Sequence, residues 1–378
     1  LIATGERVHL TRAALVAIAA IFFLMGILGS AYGPLLEHLA RRFDISLAVA
    51  GGVLTTHFSG ALVGVLASMR VLQRVSSRTF MLGAVTCLGV GCASVAVAPS
   101  WPAFLGAVFV LGIGWGALDI GCNQLVAHSE GVRRTAVLNA LNGTFAVGAV
   151  AGPILVSTVG RTHLALLYGG AAVVAFALWP LVSGVSGRLP FTSSRTADSS
   201  AFLLAIFMVG FALYVGMEAG IGGWMPSHLE SVGLQSVEAA TLTSGFWLAL
   251  AAGRLLAALV PARMPESAIV ITASAVAAVA LLSALIPAAA PVAYIVAGLA
   301  IAPIFPTGIV WLAKLRPGDA RVTSWLFPAS MVGGAVIPGG IGALIARFGI
   351  GLAPAVLSLV AVGCVASFAL AARHRAVT

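Results

Sequence analysis

Twelve stretches of mainly apolar residues, each long enough to cross a bilayer, fill this chain almost from end to end. They lie near 12–39, 47–72, 79–98, 101–127, 135–159, 163–187, 200–226, 238–262, 267–287, 289–314, 321–346 and 350–373. A bilayer core needs about 20 apolar residues per helical crossing. Inside it every backbone N–H and C=O must be satisfied within the segment, which leaves helices or closed barrels. Runs of this length predict an all-α membrane protein with twelve transmembrane helices. The first uncharged run, 13–36, is longer than the apolar part of a signal peptide and is expected to be a span.

Only 8% of the 378 residues are charged, against about 25% in soluble proteins. The formal net charge of +9 therefore reports topology rather than a nucleic-acid partner. Basic residues flanking spans collect on the cytoplasmic side. With the N-terminus inside and twelve spans, Arg41, Arg42, Arg161 and Arg347 fall outside, and the other sixteen of the twenty Lys and Arg fall inside. A multi-pass protein of the cell's inner (plasma) membrane with both termini cytoplasmic is expected. Cys87, Cys92, Cys122 and Cys364 lie within apolar runs without metal-type spacing and read as small core residues.

The chain also repeats. Val147, Gly148 and Pro153 in the fifth run recur as Val332, Gly333 and Pro338 in the eleventh, a shift of 185 residues that also carries Arg78 to Arg263. The longest polar stretch, 188–200, lies between runs six and seven. The expected organisation is an N-terminal six-helix bundle (1–187), a cytoplasmic linker (188–200) and a pseudo-symmetric C-terminal bundle (201–378). Duplicated transporters of this kind bind solute between the halves near the midplane.

Two acids lie well inside spans, Asp119 and Glu218. A charge at a helix centre costs about 2.5–3.5 kcal/mol on insertion scales, so such groups usually serve a function. Within GIGWGALDIGCNQ (112–124), Trp115, Asp119 and Asn123 recur at i, i+4 and i+8 as one stripe, while Gly112, Gly114, Gly116 and Gly121 allow close helix approach. Asn139 and Asn142 open the fifth run at a depth like that of Asp119, so the three Asn and the acid could cluster. Asparagine amides suit sugar hydroxyls and equally suit bonds between helices. Glu218 has Tyr214 four residues before it. Gly216, Gly220, Gly222 and Gly223 around it would permit an unwound segment, and Trp224, Met225 and Pro226 are expected to end that helix. Counting about 1.5 Å per residue places Glu218 roughly 13 Å nearer the outside than Asp119, as outer and inner proton stations. Arg254 is either a gate or charge partner, or a side chain snorkelling to the cytoplasm. Tyr32, Trp247 and Trp311 could stack on a sugar face or serve as core. Pro303 and Pro306 mark a kink in run ten.

These motifs resemble the major facilitator superfamily, and more narrowly its fucose–proton symporter-like branch. LQRVSSR (72–78) resembles the superfamily's loop two–three motif, with Gln73 in place of its Asp and Ser76 in place of its Gly. The resemblance implies a gating role for Arg74 and Arg78. GIGWGALDIGCN resembles the branch's acidic fourth helix, YVGMEAGIGGWMP (214–226) its seventh, FWLALAAGRLL (246–256) its eighth and IAPIFPTGI (301–309) its tenth. Where fucose-type members carry an acid in helix one, this chain has Gly33. The resemblance implies the two-bundle major facilitator fold and a proton-coupled secondary transporter of a small polar solute, a sugar or sugar-like metabolite, working by alternating access. The alternative is a proton-driven exporter of drugs or other metabolites. Asp119 and Glu218 would couple protons. Asn123, Asn139, Asn142, Tyr32, Tyr214, Trp115, Trp247 and Trp311 would bind solute, and Arg74, Arg78 and Arg254 would gate. No phosphate-binding loop, hydrolase motif or metal-ligand spacing occurs. The expectation is a lipid-embedded monomer, not an enzyme, with solute and protons as partners, no nucleic acid and no cofactor besides the proton gradient.

Overall fold

A computed structural model of the chain describes residues 8–129, 134–160, 163–188, 201–259, 264–316 and 324–377. Arg263 and nearly all of the 188–200 linker lie outside the described residues. Among the described residues, twelve helical segments are long and apolar enough to span a membrane: Arg12–Phe43, Leu47–Val71, Ser77–Ala96, Trp101–Ala127, Ala140–Val159, Leu164–Val182, Ala201–Ser231, Ser236–Ala257, Glu266–Ser283, Ala290–Leu315, Leu326–Phe348 and Ile350–Arg373. They are numbered as spans one to twelve below. The apolar runs dictated them because a helix is the only open-ended way to satisfy the backbone in lipid. Outside the helices, His9–Leu10 pairs antiparallel with Val185–Ser186, tying the start of span one to the end of span six.

Span seven departs from expectation. It is one continuous helix through Pro226 to Ser231, with no unwound segment at the glycines. Proline removes one intrahelical donor but leaves the rest of the ladder intact, and neighbouring helices hold the run together. Span ten does break, into Ala290–Ile301 and Ile304–Leu315, with Pro303 heading the second piece. In span five Pro153 is followed by a π-helical turn, Val156–Gly160.

Two compact units emerge. The first contains Leu1–Ala31 and Thr56–Ser193, and the second contains Tyr32–Thr55 and Ser194–Thr378. In the first, span three packs on spans four and six, and span four on span five. In the second, span seven packs on spans eight, eleven and twelve, span nine on ten and twelve, and span ten on eight. The sequence repeat has a structural counterpart. Gly148 on span five leaves no room for a Cβ against the Phe23 carbonyl of span one, and Gly333 on span eleven is seated the same way against Ala212 of span seven. Small residues here replace the hydrophobic drive that lipid does not supply between helices. On span four, Gly112 and Gly116 meet span two while Gly114 and Gly121 meet span three.

The far ends of spans one and two belong to the second unit. Thr55 donates its hydroxyl to the Ala335 carbonyl at 2.8 Å. The Trp224 indole donates to the Pro338 carbonyl at 3.0 Å, and its ring lies against Gly51. Gly33 lies against the Gly222 carbonyl. Pro226 is four residues past Gly222 and cannot donate the helical bond that this carbonyl would otherwise receive. A glycine Cα–H is the weak donor small enough to approach it.

Candidate functional site

The two acids that lie well inside spans fall in different units, Asp119 in the first and Glu218 in the second. In the first unit the stripe Trp115–Asp119–Asn123 forms on span four as the helical period requires. Trp115 is buried, donates its indole N–H to the Met25 carbonyl of span one at 3.4 Å, and meets His57 edge-on at 5.5 Å between ring centres. Trp115 thus joins span one to span four. Asp119 and Asn123 are both half-buried. Asn123 donates its amide to the Asp119 backbone carbonyl at 2.8 Å and more weakly to its carboxylate at 3.4 Å. Among the described residues no basic side chain pairs with Asp119.

Asn142 does not join Asp119 and Asn123. Asn142 is exposed and donates to the Leu138 carbonyl of its own helix at 2.8 Å. Asn123 makes the same bond to its own helix but is half-buried beside Asp119, whereas Asn142 lies on an exposed face; matching depth does not fix the helix phase. The Asn139 side chain lies outside the described residues.

In the second unit Glu218, Tyr214 and Arg254 come together. Arg254 reaches from span eight to span seven, where its Nη2 donates to the Tyr214 hydroxyl at 3.0 Å and to Glu218 Oε2 at 3.3 Å. The ion-paired side chains are 28% and 15% exposed for Arg254 and Glu218. Arg254 is therefore directed at the acid, the charge-partner role of the two that the sequence left open. Phe305, just past the break in span ten, stands 5.9 Å from the Tyr214 ring. Trp247, seven residues before Arg254 on span eight, is 7% exposed and lies against Gly222. Its indole nitrogen is buried without a hydrogen-bond partner.

The other candidates scatter. Trp311 is buried among Phe207, at 4.9 Å, and Phe368, at 6.2 Å, and is core. Tyr32 is buried in the part of span one that belongs to the second unit. Arg74 and Arg78 have exposed side chains where spans two and three meet. Sequence reasoning missed the buried His228–Tyr294 pair, 3.1 Å apart between spans seven and ten. Both residues sit near run ends where helix phase is unreadable, so no pattern in the chain signals the pair. Trp224, expected to help end the seventh helix, instead binds span seven to span eleven through its indole N–H.

A family model described as Major Facilitator Superfamily matches residues 18–338. The chain belongs to the Major Facilitator Superfamily. It is a multi-pass membrane transporter, not an enzyme. Relatives within or near the superfamily include Sodium-dependent glucose transporter 1A of Mus musculus, 23% identical over 85% of this chain and 86% of that protein. Gentisate transporter of Corynebacterium glutamicum is 24% identical over 83% of this chain and 77% of its own length. Glucose/galactose transporter of Brucella abortus biovar 1 is 24% identical over 64% and 65%. Among solved structures, a D-xylose-proton symporter matches with a TM-score of 0.74 at 12% identity, covering 94% of this chain and 96% of that one. A nucleoside transporter matches with a TM-score of 0.75 at 14% identity, over 95% and 99%. These structural matches show the major facilitator fold.

Proposed function

We propose that this protein is a proton-coupled secondary transporter that moves a small polar solute, a sugar or sugar-like metabolite, by alternating access. The observation that carries the reading is Asp119, a half-buried carboxyl in an apolar span with no cationic partner among the described residues and the Asn123 amide one turn on. An uncompensated charge there is costly. Taking up a proton removes the charge, so the same acid can favour one access state when ionised and another when neutral. Asn123 supplies donors and an acceptor for hydroxyls. Tyr214, Glu218 and Trp247 supply a second polar surface with aromatic faces. Relatives that carry glucose and galactose support the sugar class. Arg74 and Arg78 act at the gate between spans two and three. The protein works as a monomer in the inner membrane with both termini cytoplasmic and needs no bound cofactor.

The test is uptake of radiolabelled D-glucose and D-galactose into proteoliposomes under an imposed pH gradient, an imposed sodium gradient, or neither. Accumulation is expected with the pH gradient alone. Asp119→Asn is expected to abolish gradient-driven accumulation while solute exchange at equilibrium persists. Accumulation driven by sodium without a pH gradient, or full proton-driven accumulation by Asp119→Asn, would refute the coupling.

A further inference from the structure

We propose that Arg254 is an anion seat and that the transported solute is a sugar acid, a polyhydroxylated ring or chain ending in a carboxylate. The inference rests on the transporter reading above and names the charge class of its solute.

Arg254 uses little of its hydrogen-bonding capacity. A guanidinium presents five N–H donors in a planar fork and pairs best with a carboxylate through two parallel bonds. Here both of its hydrogen bonds leave a single nitrogen, Nη2, and the one to Glu218 is long, at 3.3 Å. Nε is buried and has no partner. A buried unpaired donor is costly, and a charged one inside a membrane span more so. The cost is tolerable if an acceptor occupies the place during part of the cycle. A carboxylate fits the Nε–Nη2 edge side-on, and in taking it displaces the single weak bond to Glu218.

Geometry extends the seat beyond one charge. Trp247 and Arg254 are seven residues apart on span eight, so they share a face about 10 Å long. Tyr214, Glu218 and Gly222 are spaced by four on span seven and form the opposing face. Arg254 meets the Tyr214–Glu218 end, and Trp247 meets the Gly222 end. The Trp247 indole N–H, like Arg254 Nε, is a buried donor without a partner. Along this face the chemistry therefore runs cationic donor, acceptor, neutral donor. A sugar acid presents the complement: carboxylate on Arg254, hydroxyl hydrogens to the released Glu218, and a ring or hydroxyl oxygen to Trp247. A neutral sugar leaves the Nε–Nη2 edge unfilled. Phe305 beside Tyr214 offers an apolar face for the C–H side of the ring.

The experiment is isothermal titration calorimetry on the purified full-length protein with two matched pairs, D-glucose against D-glucuronate and D-galactose against D-galacturonate. Each pair differs only in the oxidation state of C6. In the wild type at least one acid is expected to bind about 10- to 100-fold tighter than its neutral parent, the range set by a charge-assisted pair. Glu218→Gln is expected to tighten acid binding further, because Arg254 loses its resident carboxylate. The charge-neutral double variant Arg254→Gln/Glu218→Gln keeps the buried charges balanced and so guards against misfolding, which a melting curve checks. It is expected to bring the acid-to-neutral ratio close to one. Equal or weaker binding of both acids in the wild type, or an unchanged ratio in the double variant, would overturn the anion seat and leave the sugar reading standing. Binding of none of the four would overturn both.

Discussion

At the scale of single residues, the useful distinction is one of exposure, since Asn123 and Asn142 both bond the carbonyl one turn back on their own helices. Asn142 donates to Leu138 on its own helix and faces outward. Asn123 lies on the Asp119 face and is half-buried. Asn123→Ala is therefore expected to weaken solute affinity about tenfold, the value of one or two hydrogen bonds, while Asn142→Ala leaves it unchanged. Titration of D-glucose and D-glucuronate into each variant checks this, and a matching loss in both variants would put Asn142 back beside Asn123. The acids were readable from the chain because charge is so scarce in it. The Glu218–Arg254 pair was readable only as one of two options. An arginine three residues before the end of a span can reach either the membrane surface or a neighbouring helix, and only packing decides which. Trp311 illustrates the converse. An aromatic residue in a span carries the same signal whether it lines a cavity or fills a core, and here it fills the core with Phe207 and Phe368.

At the scale of elements, the run lengths gave the spans within a few residues because lipid leaves the backbone so few alternatives. Pro303 breaks span ten as expected, and what failed was the reading of Pro226. In span ten Pro303 begins a new helical segment, whereas in span seven Pro226 sits inside an unbroken helix. Span seven, packed by spans eight, eleven and twelve, stays continuous through its proline. Gly33 then occupies the place that the missing N–H bond leaves at the Gly222 carbonyl. Pro226→Ala returns an N–H to that carbonyl and removes a residue that costs about 3 kcal/mol inside a helix, so a higher melting temperature in detergent is expected. Gly33→Val drives a branched side chain into the same carbonyl and should lower the melting temperature by an overpacking cost of about 1–3 kcal/mol. A Gly33→Val protein that melts like the wild type would show that the contact is loose.

At the scale of the molecule, the halves repeat in packing as well as in sequence, since Gly148 and Gly333 do the same work five helices into each half. The basic asymmetry of the loops predicts the direction of insertion. A cysteine placed at the exposed Ser186, in a background lacking the four native thiols, is expected to react with a membrane-impermeant maleimide only from the cytoplasmic face; labelling from outside would invert the topology. The bare Gly222 carbonyl has a consequence at this scale. It is covered only while span one stays against span seven. Once they part, the oxygen needs a new donor, and lipid has none to offer. Separation at this end therefore amounts to the admission of water, so its rate should fall as osmolytes lower water activity, and Pro226→Ala should blunt that sensitivity.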